Sequence, residues 1–156
     1  MSENLNKVYS QVQIVEAISA TKVLDKYDTG KIFTFDTDAT ITVTLPAAEA
    51  GLVHEFHFGV TFTNTLIIQA ASSGDTFQGA VQVIDKDEKG GLVALNEDVD
   101  TTAWTAPAAA DYIMTFNADA DGRFLGGYLK FVAINDSKWL LSGTLFGDGT
   151  VTHQFS

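Results

Sequence analysis

Apolar and polar residues alternate with a period of two along much of this chain, the spacing of a β-strand with one face buried and one face wet. Ile41, Val43 and Leu45 share one parity, while Thr40, Thr42 and Thr44 share the other. The densest signal is the run from His54 to Phe62, where Phe56, Phe58, Val60 and Phe62 fall together. Leu129, Phe131 and Ala133 alternate in turn with Tyr128, Lys130, Val132 and Ile134. Shorter strands are predicted at residues 31–35, at Leu66-Ile67-Ile68, through Val81 and Val83, through Tyr112, Met114 and Phe116, and at residues 150–155.

Turn chemistry separates these runs, as it does in two-sheet and barrel folds. Asp28-Thr29-Gly30 precedes the strand at 31–35, and Pro46 stops the next one because it has no N–H for the ladder. Ala47-Ala48-Glu49-Ala50-Gly51 predicts one helical turn closed by glycine. Asn135-Asp136-Ser137 predicts a hairpin into Trp139-Leu140-Leu141-Ser142-Gly143, with Trp139 as a core anchor. Residues 92–110 carry an acidic cluster at 96–100 and an alanine-proline run, and predict a long connection. No fixed-period repeat is present, which argues against solenoids and propellers.

The first 25 residues have a different texture. Val8, Val12 and Ile14 share a parity with Ser10, and Val15 follows. Val8, Val12 and Val15 also satisfy helical spacing, but β-branched side chains favour a strand. The segment therefore predicts an extended N-terminal arm at 1–25 and a single β-domain at 26–156. The fold class expected is all-β, an antiparallel β-sandwich or jelly-roll-like barrel with that arm attached. Removal of residues 1–22 is expected to leave the body folded.

Charge narrows the partners. Twenty acidic against nine basic residues give a formal net charge of -11, with no cysteine anywhere in the chain. Such a surface repels a phosphate backbone, so neither nucleic acid nor an anionic membrane is an expected partner. No disulfide or thiolate metal site can form. No run reaches the ~20 apolar residues of a membrane span, and the start lacks the basic and apolar blocks of a signal peptide.

The clusters that resemble catalytic or metal sites fail on spacing. His54-Glu55-Phe56-His57 places its histidines three apart, and in a strand they fall on opposite faces, unlike the zinc-protease pair four apart on a helix. The reading preferred is of two surface or edge histidines beside a phenylalanine-lined strand, with His153 the only other histidine. Asn117-Ala118-Asp119-Ala120-Asp121-Gly122 opens like a calcium loop, yet the twelfth position, which needs glutamate, is Tyr128. It reads as an Asx-rich turn, with a non-helical calcium site as the rival. No nucleophile elbow and no phosphate loop are present. The expectation is a protein that is not an enzyme and carries no cofactor and no metal. Trp104, in an irregular acidic stretch, is the best exposed stacking surface for a glycan, although packing is the commoner use of such a ring.

Several segments taken together resemble a module of tailed-bacteriophage virion proteins. They are Leu24-Asp25-Lys26-Tyr27-Asp28-Thr29-Gly30-Lys31, Ile41-Thr42-Val43-Thr44-Leu45-Pro46-Ala47-Ala48 with Gly51, Ser73-Gly74-Asp75-Thr76-Phe77-Gln78-Gly79, and Ser137-Lys138-Trp139-Leu140-Leu141-Ser142-Gly143-Thr144. The resemblance spans about residues 23–146, and residues 92–110 and the opening arm depart from it. It implies a capsid decoration (cement) protein that binds the major capsid protein and its own copies, as a homotrimer, made in the host cytoplasm and located on the virion. The alternative it implies is a tail or fibre component that binds a receptor or glycan. The candidate assembly arm comprises Val8, Val12, Ile14 and Val15, since an extended segment can add a strand to a neighbouring sheet.

Overall fold

The computed structural model describes residues 13–85, 103–105, 107–116, 125–147 and 155–156. The strands are β1 (Val15–Ala17), β2 (Lys22–Val23), β3 (Ile32–Phe35), β4 (Ile41–Thr44), β5 (Val53–Phe58), β6 (Leu66–Gln69), β7 (Thr76–Asp85), β8 (Ala103–Thr105), β9 (Ile113–Phe116), β10 (Tyr128–Asn135) and β11 (Lys138–Gly147). They form two sheets, ordered β1-β3-β5-β10-β11-β7-β8 and β2-β4-β6-β9. The all-β class expected from the alternation is what the structure shows.

The pairing differs from the antiparallel one expected. β1–β3, β3–β5, β2–β4, β4–β6 and β7–β11 are parallel, whereas β5–β10, β10–β11, β6–β9 and β7–β8 are antiparallel. Odd and even strands alternate between the sheets through β6, so the chain winds as a coil of three stacked turns, β1–β2, β3–β4 and β5–β6. β10 and β11 then form the expected hairpin, which fills the seven-stranded sheet between β5 and β7. Asn135 Oδ1 accepts the Ser137 N–H at 2.9 Å and holds that hairpin's turn.

One core draws on both sheets. Phe33, Phe35, Phe56, Leu129, Phe131, Phe77 and Trp139 from the larger sheet are buried with Ile41, Val43, Leu66, Ile68, Met114 and Phe116 from the smaller. Phe58 and Phe116 meet edge-on across the two sheets, with ring centroids 6.0 Å apart. Along the larger sheet Phe33, Phe56 and Phe35 stack at 5.6 and 5.8 Å, offset arrangements that add to their burial. The inward set Leu129, Phe131 and Ala133 matches the parity read from the sequence. The strand expected from His54 through Phe62 ends at Phe58, and Phe62 is buried from the loop that follows.

The connections are fixed locally. The expected helical turn at 47–51 is instead a β-turn in which the Leu52 N–H donates to the Glu49 carbonyl at 3.1 Å, with Gly51 at φ 97°. A glycine in the third position of such a turn avoids the steric cost of positive φ. Asp38 accepts the backbone N–H groups of Thr63 and Asn64 at 2.8 and 3.0 Å, tying the loop after β3 to the loop after β5.

Residues 13–25 of the segment expected as an arm contribute β1 and β2 to these sheets, with Ile18 and Leu24 buried in the common core. Removal of residues 1–22 would therefore take away β1, the first residue of β2 and a buried isoleucine. Val8 and Val12 lie outside the described residues.

Candidate assembly surface

Among the described residues, the first turn of the coil leaves backbone groups open. Ile14 C=O accepts the Ile32 N–H at 2.9 Å, and the Ile18 N–H donates to Thr34 C=O at 2.8 Å. In a parallel ladder, alternate residues bond the same neighbour. Ile14, Glu16 and Ile18 therefore face β3, and the N–H and C=O of Val15 and Ala17 face away from it. Among the described residues β1 is the end strand of its sheet and β2 the end strand of the other. Leu24 N–H donates to Thr44 C=O at 2.9 Å, which leaves the backbone of Val23 facing outward by the same alternation. Ile14, Val15 and Val23 are 58%, 61% and 74% exposed, so apolar side chains flank both open edges.

The inner side of this turn is closed by charge. Glu16 pairs in register with Phe33, and Lys22 with Val43, so both charged side chains stand on the core side of their sheets. They meet as an ion pair, and Glu16 also binds Lys31 at 3.1 Å while Lys31 pairs with Asp28. Lys22 Nζ sits 5.9 Å over the Phe33 ring. The Lys22 hydrogen bond, with that of Lys31, holds the Glu16 carboxyl below the usual carboxylate range. Inward-pointing charge at a sheet edge is a known guard against indiscriminate pairing. Sequence reading missed this cluster because its members belong to different strands, and their meeting depends on a parallel register that alternation does not encode.

Ile14 and Val15, two of the four residues of the candidate arm, thus lie at the open edge. Trp104 lies in β8, its backbone paired with Gln82 of β7. The acidic cluster at 96–100, the Asx-rich loop at 117–122 and His153 lie outside the described residues.

The two histidines of β5 take opposite faces, as their spacing requires, but His54 is not at the surface. It shares the parity of Phe56 and Phe58 and is fully buried against Phe33 and Trp139. Among the described residues neither ring nitrogen has a hydrogen-bond partner, and the same holds for the indole N–H of Trp139. Burial lowers the His54 pKa to about 4, against a smaller opposing pull from the Asp28 and Asp25 carboxylates. His57 is on the outer face, bound through Nε2 to Glu55 at 2.7 Å and stacked near Tyr128 with centroids 6.1 Å apart.

Among the described residues no group of three or more histidine, cysteine or acidic side chains converges on one point, and no helix is long and apolar enough to cross a membrane. No family model, no curated protein and no solved structure matches this chain.

Proposed function

We propose that this chain is a non-enzymatic structural protein of a tailed-phage virion, a decoration protein whose two sheets form a sandwich body and whose first turn attaches it to the major capsid protein and to its own copies. The observation that carries the reading is the open edge of β1, where the outward N–H and C=O of Val15 and Ala17 lie beside exposed Ile14 and Val15. An edge of this kind gains main-chain hydrogen bonds from an added strand, with side-chain contacts supplying selectivity. The charge cap beneath it supports attachment over aggregation, because it disfavours unselective apolar packing against the end of the core.

The turn and core positions behind the phage resemblance also have structural work in this fold. Gly30 has φ 79° at the turn before β3, Ala48 is buried after Pro46, and Trp139 is fully buried. The net charge of -11 suits a protein displayed in many copies, since mutual repulsion opposes edge-to-edge association.

The test is saturable binding. Capsids purified from a phage lacking this chain are expected to take it up to a fixed stoichiometry, and light scattering is expected to show a trimer of the free protein, a closed assembly that suits a threefold site. Absence of saturable uptake would remove the decoration reading.

A further inference from the structure

The outer face of the seven-stranded sheet carries a row of side chains that neither the core nor the open edge of β1 uses. By register, Thr34 pairs with His57, His57 with Tyr128, Tyr128 with Thr144, and Thr144 with Gln82. The row runs across five strands, and the three steps from His57 to Gln82 cover about 14 Å at the usual inter-strand spacing. His57 and Tyr128 form its centre, with ring planes 29° apart. Tyr128 is 40% exposed and the His57 side chain 44%.

Polar groups surround the rings. Glu55 fixes the His57 imidazole through Nε2, which leaves Nδ1 and the second Glu55 oxygen free for a ligand. Lys130 is opposite Glu55 in the ladder, and Thr144 and Gln82 continue the row as uncharged hydrogen-bonding side chains. Stacked ring faces bordered by hydroxyl, amide and carboxylate groups match the two aspects of a sugar ring, its C–H face and its hydroxyl rim. Single-stranded nucleic acid also stacks on aromatic rings but needs a cationic groove for its backbone, and a chain with net charge -11 opposes that. The same charge opposes anionic polysaccharides.

We propose that this row binds a neutral oligosaccharide lying across the strands, with His57 and Tyr128 as the stacking surface and Thr144 and Gln82 along the track. The site is separate from the β1 edge, so capsid attachment and sugar binding fail independently.

The experiment is an NMR titration of the full-length, ¹⁵N-labelled chain with maltohexaose, cellohexaose, laminarihexaose and chitohexaose, and with a hyaluronan hexasaccharide as the anionic comparison. At least one neutral probe is expected to give saturable shifts at β5, β10 and β11. Tyr128→Ala and His57→Ala should each weaken that binding tenfold or more. Leu140→Ala, on the same face but in a different row, should leave it unchanged, and Tyr128→Phe should retain most of it. The melting temperature of each variant shows that it is folded. No binding of any neutral probe at millimolar concentration would overturn the proposal, as would preference for the anionic probe or wild-type affinity in both Tyr128→Ala and His57→Ala.

Discussion

The imidazole of His54 lies 5.6 Å from the indole of Trp139, centroid to centroid, and none of the three ring nitrogens has a hydrogen-bond partner among the described residues. The two residues sit on β5 and β11, which flank β10, and the residue of β10 opposite Trp139 is Ala133. An unpaired buried polar group costs roughly 1–3 kcal/mol of stability. Replacement by a ring of similar shape without nitrogen removes that cost. His54→Phe is expected to be more stable than wild type at pH 7 by about 1–2 kcal/mol, read from urea unfolding. A less stable variant would show that His54 has a polar partner in solution.

The same histidine sets a pH dependence. Its pKa is about 4 in the folded chain against 6.5 for a free imidazole, so between those values the unfolded chain binds the extra proton. The His54 contribution is therefore intact above pH 6.5, falls as the pH drops towards 4, and changes no further below that. Its full size is about 3 kcal/mol. Glu16 and Asp38, both held below the usual carboxylate range, lose their contributions only at lower pH, as each is protonated. Unfolding free energy measured from pH 7 to pH 4 should decline in wild type and stay nearly flat in His54→Phe. Parallel declines in the two proteins would assign the loss to other groups.

Gly79 tests the parallel β7–β11 pairing. Its φ is +111°, and a methyl group there would come 2.1 Å from the Leu141 carbonyl oxygen. Gly30 also has positive φ but open space around it. Gly79→Ala should cost roughly 2–5 kcal/mol from conformation and clash together, and Gly30→Ala only about 1–2 kcal/mol from conformation. Equal effects in denaturant unfolding would contradict the close approach of β7 to β11.

The charge cap is expected to guard the edge more than it stabilises the fold. Glu16→Ala should change stability by about 1 kcal/mol or less, and less again at high salt, because its partners are partly exposed. Glu16→Val, with the inward charge gone, should associate beyond the trimer at concentrations where wild type does not, as read by light scattering. Unchanged association would remove the guarding role.

Much of the core was legible because period-two alternation reports which face a side chain takes. Ile41, Val43, Phe56, Phe58, Leu129 and Phe131 are all buried on the parity they display. Even the burial of His54 is present in that pattern, since it shares parity with Phe56, but histidine as a residue type points to the surface. Parallel pairing was not legible, because alternation is identical in parallel and antiparallel strands. The coil was hidden by its unequal turns. Val15 pairs with Ile32 and Ile32 with Glu55, while Lys22 pairs with Val43 and Ile41 with Leu66, offsets of 17, 23, 21 and 25 positions. No fixed period exists for a repeat search to detect. The open edge of β1 depends on the same register, so Ile14 and Val15 could be chosen from texture but not placed.

A single proline tests attachment most directly. The Ala17 N–H points away from β3, so Ala17→Pro removes a donor with no partner among the described residues, and proline is tolerated on an edge strand in that orientation. Glu16→Pro removes a donor facing β3 and should destabilise the first turn. Occupancy of Ala17→Pro on capsids lacking the chain, measured beside its melting temperature, is expected to fall tenfold or more while the protein stays folded. Wild-type occupancy by folded Ala17→Pro would contradict attachment through the β1 edge.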